Sequence, residues 1–454
     1  MNTDTYRESR WRRTLRGSSL FLGLAAILIA GCLLEPSFIK LENQRDVLQR
    51  VSVNGMLAVG MTLVILTAGI DLSVGSLLSL CSVLCAMMVM GRQWNRGNML
   101  AVACAAGGAF YFVLSASRHA LRSRVENVPL RTVLCTVLAG AVAAAMLWWG
   151  AREVRHGFGV MATLVFVPAV GAVLGSFSGL VIAKGRLQPF IVTLAMMVLA
   201  VGLAKYVAGK GGQIHAIYVQ SQEERANEDG LQRLHRQLES EGKGYASEGF
   251  AALGRNVLGV QAWNERLEQY ETVRLIPVPG LFFLGSVLLS YIVLTRLPFG
   301  RYVYAVGGNE ETARLSGINT QAVKIKVYAV SGMMAGLAAV LYCAMYGQGK
   351  SDAGQMGELD AIAAVVIGGT SLMGGKGRIA GTLVGVLIFG YLGNILVLRG
   401  ISSEVQDIVK GVIIVLAVLL QEGRIVQWAR QAGMSFVASV KSSMKTDETG
   451  NGGR

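Results

Sequence analysis

The chain has 454 residues, 53% of them hydrophobic and only 15% charged, which excludes a soluble globule and points to a polytopic membrane protein. Its net charge of +14 fits Lys and Arg crowded into cytoplasmic loops, so no nucleic-acid partner is expected. Six cysteines in apolar segments without zinc spacing, and four histidines outside any H-E-x-x-H pattern, argue against a metal enzyme and leave no cofactor to expect.

The amino-terminal segment 1–18 is basic (Arg7, Arg10, Arg12, Arg13, Arg16) and is placed in the cytoplasm. The apolar segment 19–34 then has the outline of a signal peptide, with Ile29 to Cys32 shaped like a lipoprotein cleavage box. It is read as an uncleaved first span.

Residues 51–91 form a long apolar run whose one charge before the closing glycine is Asp71. As a single helix this run would be about 60 Å long, twice a bilayer's hydrocarbon core, so it must turn near Gly69 and Asp71. A carboxylate in lipid is costly, which makes the turn, with Gly69, Asp71, Ser73 and Gly75, a candidate gating or helix-breaking element.

Further apolar segments fall at 98–116, 132–150, 158–183, 189–209, 275–295, 325–347, 361–375, 379–398 and 402–421. With 19–34, 51–69 and 72–91 they make about twelve spans. Alternation places 117–131, 184–186, 296–324 and 376–378 inside, where Arg118, Arg122, Arg124, Arg131, Lys184, Arg186, Arg296, Arg301, Arg314, Lys324, Lys326, Lys376 and Arg378 lie. The outside loops carry fewer cations: Arg92, Arg96, Arg152, Arg155 and Arg399. The fold class is therefore all-α: a polytopic transmembrane helical bundle over 19–421, with both termini cytoplasmic and a tail, 422–454, holding Arg424 and Arg430. Asp71 falls at a cytoplasmic turn on this count, and a broken helix dipping into the membrane fits equally well.

The hydrophilic stretch 210–274 interrupts the pattern and is assigned outside. Within it Leu231, Leu234 and Leu238 share a helical face, which reads as a short surface helix packing on its own membrane domain or docking a partner.

Two later stretches carry mechanism. In the first, Gly307, Gly308 and a capping Asn309 precede Glu310 and Glu311, acids that suit the first turn of a helix, and Gly317 suits its end. A short capped helix on the cytoplasmic side serves no spanning purpose, but it would let a cytosolic partner push on the membrane domain. In the second, Glu358 and Asp360 open an apolar stretch of only about fifteen residues, closed by a glycine-rich break at 368–377. Lys376 after Gly374 and Gly375 has the look of a phosphate loop, but Thr370 stands where its first glycine should be and Gly377 follows the lysine. The chain should not bind ATP itself.

On the stretches Ala58–Ser76, Ala183–Leu194, Gly300–Asn319, Glu358–Gly381 and Val409–Gly411, the chain resembles the permease subunits of bacterial sugar ABC importers. The likeness is to the ribose/xylose/arabinose/galactose group, closest to the ribose type. The resemblance implies a ten-span core in the bacterial cytoplasmic (inner) membrane and a dimer, either of two copies or with a paralogue. It also implies a cytosolic ABC ATPase, a periplasmic sugar-binding protein and a monosaccharide cargo. By that likeness Gly308, Asn309, Glu310, Glu311, Arg314 and Gly317 form the coupling helix that docks in the ATPase.

The chain departs from the family pattern at 92–157, where two extra spans are expected, and at the long 210–274 loop. Polar residues placed to line a translocation path are Asn54, Thr62, Thr67, Ser73, Thr193, Thr370, Ser371 and Asn394, although for any single one of them a bond to a neighbouring helix is the more favoured role. The competing function is an ion-coupled secondary transporter using Asp71 or Asp407, although Asp407 is spaced to pair with Lys410. No clustered nucleophile set supports an enzyme. Asp71 is expected to cap the helix that starts near Leu72 and Ser73.

Overall fold

Each of the twelve apolar segments is helical in a computed structural model that describes residues 20–120, 128–209, 215–218, 240, 243–264 and 269–421. The surface helix expected around Leu231, Leu234 and Leu238 falls outside these residues, as do 1–18 and 422–454. In chain order the helices are α1 (Leu20–Leu34), α2 (Leu41–Leu66), α3 (Val74–Met90), α4 (Arg96–Ala120), α5 (Val128–Val154), α6 (Val160–Gly185) and α7 (Pro189–Ala208). A two-residue strand β1 (His215–Ala216), a short helix α8 (Glu248–Leu253) and the strands β2 (Asn256–Asn264) and β3 (Gln269–Pro277) follow. Then come α9 (Val278–Arg296), α10 (Pro298–Gly308), α11 (Glu310–Leu315), α12 (Thr320–Tyr346), β4 (Gln348–Gly349), α13 (Gly357–Ile367), α14 (Ile379–Leu398) and α15 (Ser403–Gln421).

Among the described residues, eight helices are long and apolar enough to cross a bilayer, and α1 and α3 are shorter apolar ones. The protein is a multi-pass membrane protein. Sequence expectation and structure differ in three places. First, α13 stops at Ile367 instead of running to 375, and its 11 residues reach only about 16 Å, half a hydrocarbon core. Second, the stretch 297–319 is not a loop holding one helix but two helices in series, α10 and α11. Proline at the first position of α10, as of α7, gives up only an N–H that a helix start leaves unbonded. Third, the all-α expectation did not include the antiparallel hairpin β2–β3, which spans the end of the 210–274 insert, or the pairing of β1 in that insert with β4 after α12.

The residues up to Leu398 form one unit and 399–454 a second. In the second, Lys410 pairs with Asp407 at 3.3 Å on α15.

In the first unit, α2 and α12 are the central helices: 78% and 67% of their most apolar windows are buried, against 11% for α5. The α4–α5 hairpin thus lies at the periphery, packed mainly on α6. Helices α6 and α12 cross with their backbones in contact: a Cβ on Gly171 would overlap the Gly332 carbonyl and a Cβ on Gly332 the Gly171 carbonyl. Only glycine at both positions lets the two backbones touch.

The connections gather at two ends of this unit. At one end, the Gly375 amide bonds the Leu66 carbonyl at 3.0 Å, the Tyr304 hydroxyl bonds the Gly377 carbonyl at 3.0 Å, and Arg186 acts on Glu311. At the other, Gly91 bridges Lys243, the Gly244 amide bonds the Met90 carbonyl at 2.8 Å, the Phe158 amide bonds the Met88 carbonyl at 3.3 Å, and β1 pairs with β4. Parts of 184–186, 296–324 and 376–378 thus meet at one end, and parts of 92–97, 151–159 and 210–274 at the other.

Candidate functional site

The run 51–91 does turn: α2 ends at Leu66 and α3 begins at Val74. The turn is built from polar side chains and unusual backbone. Thr67 folds back, its hydroxyl donating to the Val64 carbonyl at 2.8 Å. Ala68 sits at φ +60°, a left-handed conformation that costs a non-glycine residue roughly 1–2 kcal/mol. Two other helices hold the strained segment: the Thr193 hydroxyl of α7 and the Tyr328 hydroxyl of α12 both donate to the Ile70 carbonyl, at 3.2 and 3.4 Å. A Cβ at Gly69 would lie 2.6 Å from that same Tyr328 oxygen.

Asp71 is fully buried in this turn. Its Oδ1 accepts from the Ser73 amide at 3.0 Å and the Ser73 hydroxyl at 2.6 Å, and its Oδ2 accepts from the Ser331 hydroxyl of α12 at 2.8 Å. The carboxylate thus closes a two-residue Asx-type turn at the start of α3 and ties it to the central helix. The expected cap is not made: α3 starts from Ser73 without a side-chain capping bond, and Asp71 instead fixes the turn just ahead of it. Sequence reasoning also missed Ser331, although a serine in the midst of an apolar span is itself a signal. Gly75, the second residue of α3, lets α13 and the segment before it approach: a Cβ there would overlap a Glu358 carboxylate oxygen and the Gly354 carbonyl.

The other path candidates are distributed along the membrane depth, and most bond a neighbouring helix. Asn54 of α2 donates to Asp360 of α13 at 3.1 Å. Thr62 of α2 and Thr382 of α14 share a hydroxyl–hydroxyl bond of 2.7 Å. Asn394 of α14 and Asn43 of α2 exchange reciprocal amide bonds of 2.9 and 3.0 Å, so those amides engage each other. Thr370 and Ser371 lie in the second break, 368–378, where the Ser371 amide bonds the Lys376 carbonyl at 2.8 Å and Thr370 is buried against Gly377.

The end of α10 lies against both breaks, and α11 follows it directly. Asn309 Oδ1 accepts from the Thr312 amide at 2.9 Å, the capping bond its position predicts. Gly317 ends the helix at φ +83°, and Asn319 caps α12 through the Ala322 amide at 2.9 Å. Ala313 is buried, whereas Leu315 is 77% exposed at the tip. Glu310 pairs with Lys324 at 2.6 Å, fixing the root of α11 to α12. On the exposed face Glu311 accepts two bonds from the Arg314 guanidinium, which holds its carboxyl below the ordinary value, with Arg186 of the 185–188 turn adding to the effect. The arrangement is a small projecting helix with an apolar tip and a fixed charge pair, a shape suited to insertion into a partner's groove.

The opposite end carries a cavity of about 370 Å³, lined by Arg92, His156, Tyr245 and Glu248 among others, where both departures from the family pattern meet the end of α3. Burial lowers the Arg92 pKa, and its guanidinium bonds the Val89 and Tyr245 carbonyls, so it serves as a strut between insert and core.

With this geometry in place, the likenesses to known proteins are specific. The sequence pattern of the family described as branched-chain amino acid transport system / permease component matches residues 131–418. The chain is 36% identical over 423 residues to the ribose import permease protein of Escherichia coli, covering 92% of this chain and 98% of that protein. The Bacillus subtilis ribose import permease protein is 35% identical over 401 residues, covering 88% of this chain and 91% of that one. A xylose transport system permease protein of Escherichia coli is 30% identical over 383 residues, with 84% and 85% covered. No solved structure matches.

Proposed function

We infer function from one premise: the chain belongs to the permease-component family of branched-chain amino acid transport systems, alongside the bacterial ribose and xylose permeases. It is the membrane-spanning subunit of an ABC sugar importer and not an enzyme, and subunits of this kind work with a separate ATPase and a substrate-binding protein. The finer assignments follow from the likeness. The cargo is ribose or a related monosaccharide, the location is the bacterial inner membrane, and the working unit is a dimer of this chain or of this chain with a paralogue.

The observation that carries the reading is α11, capped at both ends and exposed at the same end of the molecule as the breaks at 67–73 and 368–378. An ATPase dimer that closes on ATP would move α11, and the two half-buried helix ends beside α10 would open or shut the path between the membrane's two sides. The ion-coupled alternative needs a carboxylate available to a moving proton or cation, whereas Asp71 is engaged by three serine donor groups.

The test is charge reversal on α11 with Glu310→Lys, Glu311→Lys and Arg314→Glu combined. The variant should insert normally, fail to co-purify with its ATPase and lose transport. Normal co-purification of the ATPase would refute the role given to α11.

A further inference from the structure

We infer that Gly307 is the positioning residue through which movement of α11 reaches both helix breaks at once. The inference rests on the ATP-driven reading above and goes beyond it, because it names the route from the docking helix to the path.

Three backbones meet at this glycine. A Cβ on Gly307 would overlap the carbonyl oxygen of Leu66, the last residue of α2, and would lie 2.6 Å from the Gly375 amide nitrogen in the second break. That same amide donates to the Leu66 carbonyl at 3.0 Å. Gly375 is at φ +67° and touches the other side of α10's end: its Cβ would fall 2.8 Å from the Gly308 Cα. Gly374, at φ +80°, presses likewise on Ala68 in the first break. A third tie joins α10 to the second break, the 3.0 Å bond from the Tyr304 hydroxyl to the Gly377 carbonyl.

The consequence is mechanical. Side chains absorb small displacements by changing rotamer, and here none stands between the three segments. A shift of α10 must therefore be passed on to the backbone of both breaks. Helix α10 is stiff, and its hydrogen bonding runs on into the cap of α11 through the Asn309 amide to the Ala305 carbonyl at 3.1 Å. The breaks are the compliant partners, because segments outside regular helix have the fewest internal hydrogen bonds to lose. Gly107, on the peripheral helix α4, is in a different position: a Cβ there meets nothing within 4 Å. The pair provides a built-in control.

The experiment reconstitutes the full complex of permease, ATPase and binding protein in liposomes and reads sugar taken up per ATP hydrolysed. Wild-type uptake that depends on ATP secures the underlying reading independently; its absence would overturn that reading whatever the variants do. Gly307→Ala should assemble with the ATPase and hydrolyse ATP while uptake per ATP falls at least about tenfold, as forcing a methyl into filled backbone contact implies. Gly107→Ala should stay within about twofold of wild type, since its methyl meets open space. Equal uptake per ATP for the two alanine variants overturns the inference. If Gly307→Ala fails to accumulate in the membrane, Tyr304→Phe decides, because it adds no atoms. It should lower uptake per ATP severalfold with ATPase binding unchanged, and an unchanged ratio overturns the inference.

Discussion

Replacing Asp71 separates a structural acid from a proton site. Asp71→Ala removes the acceptor for three buried donors: the Ser73 amide, the Ser73 hydroxyl and the Ser331 hydroxyl. A buried donor left without a partner costs about 1–3 kcal/mol. The two hydroxyls can rotate toward nearby carbonyls and recover part of this, but the Ser73 amide cannot. A loss of roughly 3–5 kcal/mol follows for Asp71→Ala, including the space left by the carboxyl. Asp71→Asn keeps one acceptor oxygen and should lose only about 1–2 kcal/mol, and Ser331→Ala, which removes one bond to the carboxylate, should fall between them. Thermal unfolding of the purified chain in detergent reads the order: wild type, Asp71→Asn, Ser331→Ala, Asp71→Ala. ATP-dependent uptake by Asp71→Asn should remain near wild type, because the turn persists without a titrating group. An Asp71→Ala protein as stable as wild type would refute the structural account. An Asp71→Asn protein that is stable but inactive would return the acid to a role in transport chemistry.

Two of the polar candidates on the membrane helices make further predictions. Thr62→Val should cost about 1 kcal/mol by orphaning the Thr382 hydroxyl, and Thr382→Val less, because the Thr62 hydroxyl keeps the Ala58 carbonyl; the double variant should cost less than the sum. A raised KM for sugar in Thr62→Val would instead place that hydroxyl on the path. Asn394→Ala should lower thermal stability by about 1–2 kcal/mol through the two lost bonds with Asn43, whose amide keeps the Phe38 carbonyl, while leaving KM unchanged, checked by unfolding and uptake on the same preparation.

What the sequence disclosed and what it hid divide along a physical line. Helices are written locally in hydropathy, and each of the twelve apolar segments is helical. The break at Asp71 followed from arithmetic, since a run of 51–91 is too long for one crossing. The cap at Asn309 and the stop at Gly317 are local chemistry as well, and both take the expected geometry. Contacts between distant segments leave no such local trace. Gly307 reads in sequence as one more glycine before a cap, and only the approach of Leu66 and Gly375 explains why no side chain fits there. Helix α10 was missed because Gly300, Gly307 and Gly308 lower local propensity, while the burial of Val303 and Val306 in the core overrides it. The β1–β4 pairing was missed because a two-residue strand carries no period of its own.

The central claim is that this chain moves sugar only when an ATPase drives it through α11. Uptake of radiolabelled ribose into proteoliposomes holding the permease, loaded with ATP, measures this directly when the ATPase and binding protein are each present or left out. The account predicts uptake that needs both partners and hydrolysable ATP and is indifferent to an uncoupler. Uptake that persists without any ATPase and collapses when the ion gradient is dissipated would contradict it.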